Sequence, residues 1–146
     1  MKKTLFLVPV IILCVVLCSC SVKWTEEDIS KAHTVEITKY NGDNYNSRTV
    51  YTITDERTVN NLRNTFSLLE LKNVKIIEPT ERSFHISFIG SRGVIDGIDV
   101  IAGHNAISNG DGVYKITDEM DIERHLNEVI ETAPSEKVEE SSLQKE

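Results

Sequence analysis

The chain has 146 residues, a formal net charge of −7 and three cysteines, at positions 14, 18 and 20. Its length fits one modest domain. Its acidity argues against nucleic acid as a partner and against a polybasic grip on a bilayer.

Met1-Lys2-Lys3 is a short positive start, and Thr4 to Leu17 is an apolar run broken by Pro9. This is the layout of an export signal. The run is short for a spanning helix, which needs about 20 apolar residues. No cluster of positive charge follows it, for Lys23 stands alone before Glu26, Glu27 and Asp28.

Leu17-Cys18-Ser19-Cys20 closes the run. Leu17 stands three residues before the expected cut, Ser19 is small, and the Cys20 thiol is the nucleophile that would take up a diacylglyceryl group. The four residues resemble the bacterial lipobox. Acylation is therefore expected at Cys20, since Cys18 follows the bulkier Val16-Leu17. Each buried methylene contributes about 0.8 kcal/mol, and two chains anchor durably where one does not. Cleavage before Cys20 leaves 127 residues with a charge of −9, because Lys2 and Lys3 depart and no acid does. The one remaining thiol would carry lipid, so the mature domain is expected to rest on its core without disulfides.

The expected division is a signal over 1–19, a lipidated cysteine and linker over 20–32, an α+β domain over 33–131 and a tail over 132–146. The tail is rich in Glu, Ser and Lys and nearly free of apolar residues, which predicts disorder. Trp24, the only tryptophan, either lies near the headgroups or packs on the domain; the sequence leaves both open.

Within the domain, His33 to Tyr40 alternates with Val35 and Ile37 on one face, a half-buried strand. Asn41-Gly42-Asp43-Asn44 turns it into a second strand, Arg48 to Thr54, which should pair antiparallel. Asp55 then caps a helix whose Val59, Leu62, Phe66 and Leu69 form one apolar stripe. Asn73 to Ile77 is a third strand or the lead-in to one, broken by Pro79 and the polar Thr80, Glu81 and Arg82. Ser83 to Ile89 alternates strictly, with Phe84, Ile86 and Phe88 on one face and His85 and Ser87 on the other. Gly90-Ser91-Arg92-Gly93 leads into Val94 to Ala102, where Val94, Asp96, Ile98 and Val100 are expected to share a face. Asn105 to Ser108 and Val113 to Thr117 make a last hairpin around Asn109-Gly110-Asp111-Gly112. Tyr114-Lys115-Ile116-Thr117-Asp118-Glu119 echoes Tyr51-Thr52-Ile53-Thr54-Asp55-Glu56, and a second helix is expected from Asp118 to Glu131. The sum is an antiparallel sheet of about six strands with two helices on one face, in the order ββα-ββββ-α.

This order resembles the small lipoproteins of low-GC Gram-positive bacteria typified by the YhfM-like family. The likeness rests on the lipobox, on Ile53-Thr54-Asp55 running into an amphipathic helix, and on Gly112-Val113-Tyr114 before the last helix. It implies a lipid-anchored protein of the cell envelope and supplies no catalytic residues to carry over.

Side chains with chemistry are few. No two of the four histidines stand four apart on a helix and no thiol can assist, so no metal site is expected. Asp96 and Asp99 lie three apart on a strand and face opposite sides unless Gly97 marks a bulge. Asn41-Gly42-Asp43-Asn44 and Asn109-Gly110-Asp111-Gly112 lack the order of a calcium loop. Ser142 and Lys145 form a Ser-x-x-Lys only within the tail, and no phosphate loop or nucleophile elbow occurs. No catalytic residue and no cofactor is assigned. Tyr40, Tyr45, Tyr51 and Tyr114 flank turns and could form a binding rim, with ordinary half-buried strand positions as the alternative; His85 joins them as a weak candidate. The expected function is a binding or accessory module contacting an envelope protein or a wall component. The competing readings are a hydrolase using His85 with Asp96, and a small-molecule sensor or inhibitor that binds between sheet and helices.

Overall fold

The computed structural model describes residues 29–41, 47–74, 81–110 and 112–141. Cys20, Trp24, Tyr45 and the Asn41–Asn44 turn beyond Asn41 lie outside them.

Among the described residues, eight strands and two helices form an α+β fold. The strands are β1 (Thr34–Tyr40), β2 (Ser47–Ile53), β3 (Leu71–Val74), β4 (Arg82–Gly90), β5 (Gly93–Ile101), β6 (Ala106–Ser108), β7 (Val113–Ile116) and β8 (Glu136–Ser141). The helices are α1 (Glu56–Leu68), after β2, and α2 (Ile122–Thr132), after β7. Every pairing is antiparallel and the sheet is open, in the order β3-β7-β6-β5-β4-β1-β2-β8. The expected class holds; the strand count and order hold only coarsely.

Both helices bury their stripes in one cluster with one face of the sheet. Val59, Leu62 and Phe66 of α1 and Ile122, Leu126 and Val129 of α2 meet Val35, Ile37, Ile53, Ile98, Val100 and, on β4, Phe84, Ile86 and Phe88. Burying one such side chain contributes about 1.5–3 kcal/mol. Phe66 packs edge-on against Phe88, with ring centroids 5.6 Å apart at 76°.

Three expectations need correction. Residues 136–141 are not a disordered tail but the edge strand β8, in register with β2 from Thr52↔Glu136 to Ser47↔Ser141. Composition predicts disorder because this segment has little to bury; its order comes from β2's backbone, which it pairs. The segment taken as linker also contributes to the core, since Ile29 and Ala32 are 1% and 2% exposed. Ile29 is one apolar residue in an acidic stretch and carries no period of its own.

The third concerns α2. In the echoed segments Asp55 and Asp118 were equivalent, and Asp55 does cap α1, accepting from Thr58 N at 2.9 Å and Thr58 Oγ1 at 2.7 Å. These bonds hold its carboxyl below the ordinary carboxylate range. Asp118 instead accepts from Met120 N at 3.1 Å and closes a local turn. Asp121 is the cap of α2, accepting from Arg124 N at 3.1 Å. Asn105, at φ 43°, sets this start: its Nδ2 donates to Met120 O and its Oδ1 accepts from Ile122 N.

Candidate functional site

With both helices on one side, the described helices leave the other face of the sheet uncovered. The register fixes what it carries. His85 lies opposite Thr38 on β1 and Asp99 on β5, and Asp99 lies opposite Ser108 on β6. Four neighbouring strands thus place Thr38, His85, Asp99 and Ser108 in one row, at the usual spacing of about 4.8 Å per strand.

At the centre of the row, His85 Nδ1 stands 2.7 Å from Asp99 Oδ1. A carboxylate only accepts, so Nδ1 carries the proton and donates. In the neutral tautomer this leaves the lone pair on Nε2. Arg82 Nε lies 3.4 Å from Asp99 Oδ2, so both carboxylate oxygens are engaged. The side chains of His85 and Asp99 are 35% and 16% exposed, half-sunk in the sheet surface rather than extended into solvent. The imidazole lies over β5. A Cβ built on Gly97 would stand 3.2 Å from its Cε1 and 3.4 Å from its Nε2, so the missing side chain of Gly97 makes the bed on which the ring rests.

A bulge makes this meeting possible. Near the turn, Gly90 pairs Gly93 and Ile89 pairs Val94, but Phe88 pairs Asp96. Ile95 is the extra residue. Were the ladder regular from the turn, His85 would face Ile98; with the bulge the pairs from Phe88 to Phe84 shift by one and His85 faces Asp99, before a second irregularity between Phe84 and Arg82. The same shift keeps Ile98 and Val100 beside Phe84 and Ile86 in the core, and that burial is the reason for it. Val94 falls before the bulge and does not share the face of Asp96; it is 66% exposed, contrary to the expected alternation. Asp96 pairs Phe88 and therefore faces the helix side, opposite His85, with its Oδ1 accepting from Gly97 N at 2.8 Å. The expected His85 and Asp96 couple is thereby ruled out. Sequence reasoning missed Arg82, and it treated Asp99 only as a partner of Asp96. The signal that finds Asp99 is the demand that Ile98 and Val100 join the core, which sets the register.

The three described tyrosines do not gather. Tyr51 and Tyr114 face the helices, packed against the core or within it, in keeping with ordinary strand positions. Tyr40 stands on the uncovered face opposite Arg48, one row from His85. Tyr45 lies outside the described residues.

The other histidines stand apart from this row. His33 and His104 are exposed. On α2, His125 Nε2 is buried without a hydrogen-bond partner among the described residues, and burial lowers the pKa of its imidazole against a smaller opposing effect of Glu128. Among the described residues no three His, Cys, Asp or Glu side chains converge on a point that could hold a metal ion. Between sheet and helices, where a small molecule was one expectation, Leu62, Phe66, Phe84, Phe88, Ile122 and Leu126 fill the interior. A polar groove runs between the helices instead, lined by Arg57, Asn60, Asn61 and Asn64 of α1 and by Val129 and Pro134 at the end of α2.

No helix among the described residues is long and apolar enough to cross a membrane. Compared with protein-family models, with curated proteins and with solved structures, the chain matches none, so a reading of its function rests on its own residues.

Proposed function

We propose that the chain is a lipid-anchored binding or accessory module of the bacterial cell envelope, held outside the cytoplasmic membrane through Cys20. It would contact another envelope protein or a wall component through the sheet face that the helices leave uncovered. The observation that supports this reading is the polar row Thr38, His85, Asp99 and Ser108 crossing four strands of that face. A flat row of hydrogen-bonding groups on a sheet holds its geometry without a loop to order, which lowers the cost of binding. The lipobox supports the location, and the acidic charge favours a domain that stands off an anionic bilayer.

Two measurements test it. Intact mass of the membrane-extracted protein should show lipid on the mature chain, and Cys20→Ala should release the protein from the membrane fraction. In cells, a photo-crosslinker at Thr38 should capture a discrete species that His85→Ala abolishes. A Cys20→Ala protein that stays with the membrane, or capture unchanged by His85→Ala, would count decisively against the corresponding half.

A second reading has one observation in its favour. The 2.7 Å contact with Asp99 holds His85 in the tautomer of a general base, with hydroxyls in the same row. A hydrolase built on this pair would turn over ester or amide probes, and His85→Ala would abolish the turnover. Turnover that survives His85→Ala would dismiss it.

A further inference from the structure

The edge strand β8 is held in an unusual way. All six of its residues are in register with β2, yet every side chain from Glu136 to Glu140 is exposed, including Val138 at 46%. Among the described residues one ion pair joins the two strands: Arg48 to Glu140, at 2.6 Å, with both side chains about half exposed. Lys137 and Glu139 pair at 2.7 Å within β8 itself rather than across to β2. Exposed pairs of this kind contribute little. β8 is therefore retained by its backbone ladder and by its tether to α2, and elements with so little burial open first.

The tether is three residues, Ala133-Pro134-Ser135. Ala133 already leaves α2 extended, at φ −79° and ψ 143°, and Pro134 disfavours a helical turn there. A short, stiff hinge after a helix, followed by a weakly held strand, is the arrangement that exchanges strands between copies.

We infer that the edge of β2 is a docking site for β8 of a second copy of this chain, giving a reciprocal strand-exchanged pair. The occupant follows from complementarity: a second β8 brings Glu140 opposite Arg48 and Val138 opposite Val50, the same contacts the chain makes with itself. Nothing new has to be recognised, only the hinge straightened. The inference does not depend on the lipid anchor or on the His85 row.

Charge reversal tests it in the full chain. Arg48→Glu alone and Glu140→Arg alone each set like charges facing within one chain and within a self-pair. Exchange between the two variants restores opposite charges at both junctions. Two differently tagged full-length chains, one carrying each substitution, should co-purify about five- to tenfold more than either variant with itself, the range expected from two exposed ion pairs. Equal recovery in the mixed and self combinations overturns the proposal. Because both positions are exposed, the fold should survive; hydrogen exchange on the wild-type chain gives an independent reading. The amides of β8 should exchange well before those of β4, and equal protection of the two strands overturns the proposal as well.

Discussion

Gly97→Ala is the sharpest probe of the His85 site, because it sets two effects of similar size against each other. Gly97 has an ordinary strand conformation, with no positive φ, so alanine fits the backbone. Replacing a strand glycine by alanine should then stabilise the fold by about 0.5–1 kcal/mol, mainly by restricting the unfolded chain. Against this, the new methyl would sit 3.2 Å from His85 Cε1 and must push the ring off by a few tenths of an ångström. That lengthens the 2.7 Å bond to Asp99, itself worth about 1 kcal/mol at a half-exposed site. In the native background the two should nearly cancel, leaving a change within about 0.5 kcal/mol. In a His85→Ala background the obstacle is gone and the full gain of about 0.5–1 kcal/mol should appear. Urea denaturation of the four proteins completes the cycle. If Gly97→Ala stabilises both backgrounds equally, the imidazole does not rest on Gly97 and the account of the site fails.

Other perturbations follow from the same geometry. Replacing Phe66 and Phe88 singly and together by leucine should show a coupling of about 0.5–1.5 kcal/mol in denaturation, from their edge-on contact, and simple additivity would refute it. Asp121→Ala should cost about 1 kcal/mol and Asp118→Ala distinctly less, because only Asp121 caps α2; equal losses in denaturation would restore Asp118 as a cap. Burial lowers the pKa of His125, so its neutral form is favoured by folding. Its contribution is therefore complete above the unfolded value of about 6.5 and is lost as pH falls through and below it. The urea midpoint of the native chain should fall from pH 7.5 to 5.5 by more than that of His125→Gln, and parallel profiles would refute the assignment.

Much of the fold was legible because period and capping speak locally. Phe84, Ile86 and Phe88 alternate, the apolar stripe of α1 repeats at helical spacing, and Asp55 announces its helix; each of these needs only its neighbours. What escaped depends on distant residues. The segment Glu136 to Ser141 has no reason to be ordered until β2 is beside it. Ile29 has no period and becomes a core residue only when the rest of the cluster surrounds it. The echo of Asp55 points to Asp118 as the cap, and the start moves to Asp121 because Asn105, distant in sequence, binds Met120 O and Ile122 N. The polar row was half visible: His85 stood on the polar face of its strand, but its partner was fixed by a bulge whose cause is the burial of Ile98 and Val100.

The bulge at Ile95 also has a bearing on how the hairpin could be altered. Removing that single residue would close the ladder without a bulge: Val94 opposite Ile89 would be followed directly by Asp96 opposite Phe88, and Gly97, Ile98 and Asp99 would keep their partners and their faces. A one-codon deletion at Ile95 would thus spare the histidine's companion, whereas a one-codon deletion at Ile98, within the regular ladder, would bring the Asp99 carboxylate opposite Ile86 in the core and turn Val100 outward beside His85. Tolerance to length change in this hairpin should therefore differ sharply over a distance of three residues.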